Sequence, residues 1–231
     1  MKGIQVSIFF GFILFASGQR FIIKDNNGLP TLAVDLLSTA NKLYADECNN
    51  GDYELSIWET NVTLPEYIVG QRAQDDLGPM RGYIPHVQDI TRNASNIALV
   101  EPESFLELWN NTGSSSCTRF SVWRLNCPNG FRALGDIATF CEPNEPCTLP
   151  APDSYKSKLR CVRQDLLETC SFDDDDIWST DGDSVATPAS LWRTSGDLGI
   201  GGLYHMNEKS ATEKPLNGVC YCLKRLDPEI V

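Results

Sequence analysis

The chain has 231 residues, 42% of them hydrophobic, and a formal net charge of −12 from 31 acidic and 19 basic side chains. This length allows one domain with a sizeable core or two small ones. The acidic balance argues against a nucleic-acid partner, whose phosphates favour basic surfaces, and against electrostatic docking to anionic membranes.

The first eighteen residues have the pattern of a secretory signal peptide. Lys2 is followed by an apolar run from Ile8 to Phe15 and then by Ala16-Ser17-Gly18. A positive start, a short apolar stretch and small residues before the cleavage point define such a leader. The run is shorter than the ~20 apolar residues of a spanning helix. We therefore expect residues 1–18 to be removed, and the mature chain to be secreted, extracellular and without a transmembrane segment.

A short helix is predicted in the segment that follows, residues 19–50. Apolar residues recur at steps of three and four between Leu29 and Tyr44. This period predicts an amphipathic helix from about Thr31 to Tyr44, ending before an Asn-Asn-Gly turn at residues 49–51.

The rest of the chain, residues 51–231, is predicted to be a single all-β domain. Apolar and polar residues alternate at 53–58, 120–123 and 219–223, as they do in half-buried strands. Turn signals rich in Pro, Gly and Asn separate these stretches. Short strands with such punctuation are typical of antiparallel β-structure.

An internal repeat divides this domain. Trp109 and Trp178 are each followed by a Gly four residues later, and by a second Trp, Trp123 or Trp192, in the sequence Ser-x-Trp-Arg. Trp58 ends a similar apolar strand, so we interpret three units, at about residues 51–104, 105–172 and 173–226. Antiparallel units of this kind around a pseudo-threefold axis would form a prism-like structure.

Nine cysteines lie in the mature part of the chain, and in an oxidising compartment most of them should form disulfides. No Cys-x-x-Cys pair occurs, which argues against a zinc or redox motif. The count is odd, so one thiol stays unpaired or bridges to another chain. The sequence leaves the pairing open among Cys48, Cys117, Cys127, Cys141, Cys147, Cys161, Cys170, Cys220 and Cys222.

Three Asn-x-Ser/Thr sequons predict a glycoprotein, with the acceptor residues on the surface. The acceptors are Asn61, Asn93 and Asn110.

An acidic run is the candidate cation site. Six carboxylates within eleven residues could hold calcium, which takes several oxygen ligands from flexible loops. The spacing is not that of an EF-hand. A solvated loop, or pairing with an arginine such as Arg163 or Arg193, is the alternative, and no other cofactor is expected. The six residues are Asp173, Asp174, Asp175, Asp176, Asp181 and Asp183.

Polar loops recur at equivalent positions of the two Trp units, which makes them candidate ligand-binding loops. Their candidate contact residues are Asn111 and Ser114 in one copy, and Thr180 and Ser184 in the other. Gly-Asp-Ser at 182–184 resembles a hydrolase nucleophile but occupies a repeat position. His86 and His205 lack metal-ligand spacing and are interpreted as ordinary histidines. The chain is therefore predicted not to be an enzyme.

The ordered motifs of residues 105–223 resemble the vacuolar protein sorting-associated protein 62 family. The motifs are Trp…Gly…Ser-x-Trp-Arg, Pro-x-Gly-Phe, Leu-Gly-Asp-Ile-Ala, Leu159–Leu167 and a second Trp…Gly…Ser-Leu-Trp-Arg. The resemblance implies an all-β repeat similar to the β-prism modules found beside membrane-attack domains. It supplies no catalytic residues.

These features predict a secreted, non-enzymatic binding module that recognises carbohydrate or a glycosylated cell surface. One alternative is an acidic, calcium-associated extracellular-matrix or biomineral protein, and another is a hydrolase. The expected partner is a glycan or an extracellular protein, with an intermolecular disulfide open through the odd cysteine.

Overall fold

The structure, a computed structural model, describes residues 19–45, 54–92, 95–111, 119–141, 152–181, 187–195, 203–215, 220–224 and 227–228. These ranges contain nineteen strands and two short 3-10 helices, Pro152–Tyr155 and Gln164–Leu166. The strands are β1 (Gln19–Lys24), β2 (Pro30–Leu37), β3 (Asn41–Ala45), β4 (Ser56–Glu59), β5 (Tyr67–Ile68), β6 (Arg72–Gln74), β7 (Ile84–Asp89), β8 (Leu99–Val100), β9 (Ser104–Asn110), β10 (Arg119–Asn126), β11 (Phe131–Arg132), β12 (Ile137–Cys141), β13 (Cys161–Arg163), β14 (Leu167–Phe172), β15 (Trp178–Ser179), β16 (Ser190–Ser195), β17 (Tyr204–Asn207), β18 (Cys220–Leu223) and β19 (Asp227–Pro228).

The predicted all-β, antiparallel fold is confirmed. Each pairing between the named strands is antiparallel. The sheets have the orders β19-β1-β2-β7-β5, β12-β10-β9, β11-β13-β8 and β3-β4-β6, and a fifth sheet contains β15-β16-β14-β18 with β17 beside β16. No helix in the described ranges is long and apolar enough to cross a membrane.

The predicted helix over Thr31–Tyr44 is wrong, because this segment forms β2 and β3 instead. β2 lies between β1 and β7, and four successive residues from Thr31 to Val34 are buried. A strand buried on both faces loses the polar alternation by which strands are recognised in a sequence. The spacing of its apolar residues then matched a helical period by coincidence.

Three three-stranded meanders recur along the chain with the same order. They are β3-β4-β6, β9-β10-β12 and β15-β16-β17, and in each the second strand lies in the centre. The facing residues of the first two strands are Tyr44 and Ile57, Trp109 and Val122, and Trp178 and Leu191. This register sets Trp58 level with Trp123 and Trp192, whereas the sequence pattern had set it level with Trp109 and Trp178.

A second group of strands accompanies each meander. β2, β7 and β5 pair in that order, as do β8, β13 and β11, and β14 pairs with β18. Strand order therefore divides the described chain into segments 30–89, 99–163 and 167–223. Each segment begins earlier than the corresponding unit interpreted from the Trp positions.

Two large apolar clusters receive residues from all three segments. One cluster includes Val34 and Val87, Leu99 and Val162, and Leu167 and Leu223. The other contains the facing pairs of the meanders, and in it the Trp109 and Trp178 rings meet edge to face with centroids 5.6 Å apart. Because each segment contributes to both clusters, the three depend on one another for burial.

Candidate functional site

Two members of the acidic run pair with basic side chains. Arg193 Nη1 donates to Asp173 Oδ2 at 3.4 Å, and Lys214 Nζ lies 3.3 Å from Asp174 Oδ1. Asp175 and Asp181 are exposed. Two further members of the run are Asp176, which is half-buried, and Asp183, which lies outside the described residues. Within the described part of the chain, no group of three or more His, Cys, Asp or Glu could hold a metal ion.

The two described candidates of the repeat loops are buried at the hairpin ends. Asn111 Oδ1 accepts the N–H of Phe120 at 2.8 Å, and Thr180 Oγ1 accepts the N–H of Ala189 at 2.9 Å. The two side chains thus make equivalent hydrogen bonds, each across the hairpin of its own copy. Ser114 and Ser184, which were predicted beside them, lie outside the described residues.

The sequons differ in their surroundings. Asn61 is exposed, as an acceptor should be. Asn110 is half-buried, and its Nδ2 donates to Glu107 Oε1 at 3.1 Å. Asn93 lies outside the described residues.

The cysteines divide into bonded and free side chains. Cys127 and Cys161 form a disulfide, and Cys141 is disulfide-bonded as well. Cys170, Cys220 and Cys222 are thiols in the structure. The remaining predicted disulfide cysteines, Cys48, Cys117 and Cys147, lie outside the described residues.

His86 lies between two polar side chains. Thr60 Oγ1 contacts His86 Nε2, and His86 Nδ1 lies 3.2 Å from Glu66 Oε2. A hydroxyl, an imidazole and a carboxylate in this order are the parts of a hydrolase triad. Thr60 is only 2% exposed and His86 only 1%, so the hydroxyl has no open face for a substrate. The arrangement is a buried hydrogen-bond network that ties β7 to the 60–66 loop.

His205, in the third segment, lies close to the Arg124–Asp136 ion pair of the second segment, with its Nδ1 3.8 Å from Asp136 Oδ1. Its Nε2 donates to the Leu134 carbonyl at 3.1 Å, and Phe172 meets its ring edge to face. Burial lowers the pKa of His205, although the neighbouring Asp136 carboxylate opposes this effect.

The most regular feature of the meanders is a Ser-x-Trp motif on each central strand. Its indoles are largely buried in the first and third copies, where Trp58 is 8% exposed and Trp192 is 5% exposed. In the first copy, the Trp58 indole N–H donates to Ser56 Oγ at 3.0 Å, and Ser56 Oγ donates to the Asp76 carbonyl at 2.5 Å. In the third copy, Trp192 donates to Ser190 Oγ at 2.8 Å, and Ser190 donates to the Ser210 carbonyl at 2.8 Å.

The second copy departs from this pattern. Trp123 donates to Thr139 Oγ1 at 2.9 Å, and Ser121 donates to Glu107 at 2.8 Å. In all three copies, therefore, a hydroxyl anchors the indole N–H. The anchored bond fixes the ring orientation, as buried indole nitrogens require a partner.

A carboxamide side chain shapes the loop beside the motif in the first and third copies. Gln74 Oε1 accepts the Arg81 N–H at 2.9 Å, and Gln74 Nε2 donates to the Pro79 carbonyl at 3.2 Å. Asn207 accepts the Lys209 N–H at 2.9 Å and donates to the Glu213 carbonyl at 2.8 Å. Gln74 faces Ser56 and Asn207 faces Ser190, so the two carboxamides hold equivalent positions.

A lysine covers the indole in the same two copies. Lys42 Nζ lies 5.1 Å from the ring centroid of Trp58, and Lys214 Nζ lies 5.8 Å from that of Trp192. Tyr83 and Arg81, in the first of these loops, are 46% and 68% exposed. We call each combination of indole, covering lysine and carboxamide-shaped loop a tryptophan site. The Ser-x-Trp pattern could have revealed the first one in the sequence, because Ser56-Ile57-Trp58 repeats it.

Comparisons with known proteins agree with the fold. The model of the vacuolar protein sorting-associated protein 62 family, Vps62, matches residues 14–230. The crystal structure of GNIP1Aa from Chromobacterium piscinae is similar, with a TM-score of 0.65, 21% identity and 84% of this chain covered. This chain spans 37% of the GNIP1Aa chain. No curated protein matches the sequence.

Proposed function

The chain belongs to the Vps62 family, and we propose that it is a secreted, non-enzymatic module that binds carbohydrate at its tryptophan sites. The observation that carries this proposal is the Ser-x-Trp motif, built twice with the same indole anchor, loop-shaping carboxamide and covering lysine. An apolar ring face beside polar groups is suited to a sugar, which has both an apolar face and hydroxyl groups.

The covering lysine does not prevent binding. With the lysines in place the two rings are only 8% and 5% exposed, so a sugar reaches them only when the lysine moves aside. That movement gives up a cation–ring contact of ~0.5–1 kcal/mol, together with the Lys42 bond to the Leu77 carbonyl or the Lys214 contact with Asp174. Lys42 and Lys214 have long, mobile stems. Once displaced, each ammonium can donate to a sugar hydroxyl while the ring of Trp58 or Trp192 packs on the sugar.

Equivalent hydrogen bonds join each segment to the next. The Ala138 N–H donates to Gln71 Oε1 at 2.7 Å, and the Met206 N–H donates to Asp136 Oδ2 at 2.8 Å. Ala138 and Met206 hold equivalent positions, since each faces the middle residue of a Ser-x-Trp motif. In both cases a side-chain oxygen of one segment accepts a backbone N–H of the next segment. This repeated contact supports a prism-like arrangement around a pseudo-threefold axis. Such an arrangement would allow both tryptophan sites to bind one glycan surface, which raises avidity.

Secretion is the second part of the proposal. It is supported by the signal-peptide pattern, by the Cys127–Cys161 disulfide and by the exposed sequon residue Asn61. On expression in a secreting eukaryotic host, the protein should be found in the culture medium and begin at Gln19. Its apparent mass should decrease on glycosidase treatment. Protein retained in the cytosol with Met1 intact would contradict this part.

The binding proposal is tested on a glycan array with the purified mature chain, with and without calcium. We expect one glycan class to bind above background and to change the Trp fluorescence. The double variant Lys42→Ala, Lys214→Ala should bind roughly tenfold more weakly, as expected when a hydrogen bond from a charged group is lost.

Lys224→Ala is the matched control, because Lys224 contacts Asn26, away from the tryptophan sites. It should bind as the unaltered protein does. Background signal for every glycan in both conditions would overturn carbohydrate recognition. Equal binding by the double variant and the control would show that the glycan binds elsewhere than at Trp58 and Trp192.

A further inference from the structure

Three free cysteines meet on the β14–β18 pair, and strand register separates their roles. Cys170 of β14 lies directly opposite Cys220 of β18, and Glu168 lies opposite Cys222. Cys222 is therefore a diagonal neighbour of Cys170, two residues further along. Cys220 and Cys222 point to the same face, as alternate residues of a strand do.

The register favours one pair of thiols. Directly opposed residues of antiparallel strands have Cα atoms ~4.5–5.5 Å apart, within the ~4.4–6.8 Å that disulfides need. Diagonal neighbours are ~7–8 Å apart, beyond that range. The Cα atoms of the existing Cys127–Cys161 disulfide are 5.9 Å apart, so this fold already uses such a separation.

We propose that Cys170 and Cys220 form a cross-strand disulfide in the oxidised protein and that Cys222 is the member of these three cysteines that remains a free thiol. Phe172 and Trp192 pack with Cys220 in a small apolar cluster, which would cover the new bond. Cys222 is half-buried and lies outside that cluster. It is then the thiol through which a second chain could be linked.

The oxidant is a small-molecule disulfide such as oxidised glutathione. The Cys220 thiolate attacks one glutathione sulfur, forming a mixed disulfide and releasing a glutathione thiolate that takes up the proton from Cys220. The Cys170 thiolate then attacks Cys220 Sγ and releases the second glutathione, which takes up the proton from Cys170. Two protein thiols are oxidised and one glutathione disulfide is reduced to two thiols.

The local electrostatics favour Cys220 as the first nucleophile. Hydrogen bonds from the Cys170 thiol, and then from the Cys222 thiol, lower the pKa of Cys220. The same contacts, with Cys220 first and Cys222 second, raise the pKa of Cys170. The lowered pKa makes Cys220 the thiol of the three that gives up its proton most readily, and exchange begins from the thiolate.

Peptide mapping tests the pairing. The mature protein is equilibrated with oxidised and reduced glutathione at a ratio that keeps Cys127–Cys161 fully formed, alkylated, and digested with trypsin and chymotrypsin. Trypsin separates Cys170 from the other two cysteines, and chymotryptic cleavage after Tyr221 separates Cys220 from Cys222. We expect Cys170 to be linked to the peptide ending at Tyr221, and Cys222 to be the alkylated member of the three.

Two variants sharpen the result. Cys222→Ser should keep the Cys170 link at full yield, whereas Cys220→Ser should abolish it and leave Cys170 alkylated. The Cys127–Cys161 bond serves as the control in both. A Cys170–Cys222 or Cys220–Cys222 link, or alkylation of all three thiols in the unaltered protein, would overturn the proposal.

Discussion

Arg124 and Asp136 form a two-pronged ion pair inside the second segment. Arg124 Nε donates to Asp136 Oδ1 at 3.0 Å and Nη2 donates to Oδ2 at 2.9 Å. Asp136 is fully buried and also accepts the N–H of Met206. The pair therefore connects the second segment to the third, because Arg124 donates to the Met206 carbonyl at 3.1 Å as well.

Removal of one partner of this pair should destabilise the protein strongly. Arg124→Ala leaves a buried carboxylate without its cation, which typically costs about 3–5 kcal/mol of unfolding free energy. Urea denaturation monitored by circular dichroism measures the loss. Arg20→Ala, which breaks the more exposed pair with Asp35, is the control and should cost less than about 1 kcal/mol. Equal losses in the two variants would contradict the connecting role of Asp136.

Trp109 and Trp178 should be coupled in stability. Both are almost fully buried, and their rings are in contact. Each substitution by Ala should lower the unfolding free energy by about 3–5 kcal/mol, since a large cavity remains. The double variant should lose about 0.5–1.5 kcal/mol less than the sum of the two, because the ring contact is then counted once.

Leu106→Ala is the matched control on the same strand as Trp109. Its side chain is 60% exposed, so the change should be within about 0.5 kcal/mol. Strict additivity of the two Trp substitutions would show that the rings do not interact in solution.

The repeat could be recognised in the sequence only where equivalent positions of the units have the same residue type. Trp109 and Trp178 predicted two equivalent units because both strands have Trp as the residue before their last. The first unit has Tyr44 at that position, so Trp58 was matched to the wrong member of the motif. The Ser-x-Trp triplet was the better guide, because its serine hydroxyl anchors the indole in two copies.

Other features depend on contacts between distant residues. Thr60, His86 and Glu66 are brought together by pairing of β7 with β5, which no local pattern reports. Register also decides which of the three free cysteines face each other. The burial of β2 on both faces could not be recognised from sequence, because it depends on its two neighbours in the sheet.

His205 should make stability depend on pH below about 7. Its pKa is lowered in the folded state by burial, so the unfolded chain, with a pKa of ~6.5, binds the proton first. The stabilising contribution is therefore complete above that value and is lost as pH falls towards the folded pKa. The unaltered protein should lose stability more steeply than His205→Gln, by at most about 1.4 kcal/mol per pH unit. Parallel pH profiles from urea denaturation would contradict this.

The acidic run should respond to salt rather than to calcium. Asp173 and Asp174 already have Arg193 and Lys214 as partners. The Asp173–Arg193 pair is partly exposed, and such pairs contribute about 0–1 kcal/mol. Asp173→Asn should therefore lower the unfolding free energy by less than about 1 kcal/mol at low salt. The difference should vanish near 1 M salt, where the screening length is ~3 Å.

Calcium at millimolar concentration should leave the melting temperature of the unaltered protein unchanged at both ionic strengths. A bound cation would instead raise it, because a ligand that binds only the folded state stabilises that state by mass action. The decisive comparison is the triple variant Asp174→Asn, Asp176→Asn, Asp181→Asn, which removes carboxylates from the run but keeps Asp173 with Arg193. If calcium raises the melting temperature of the unaltered protein but not that of this variant, the run holds a calcium site. That result would refute pairing with Arg193 and Lys214 as the role of the run.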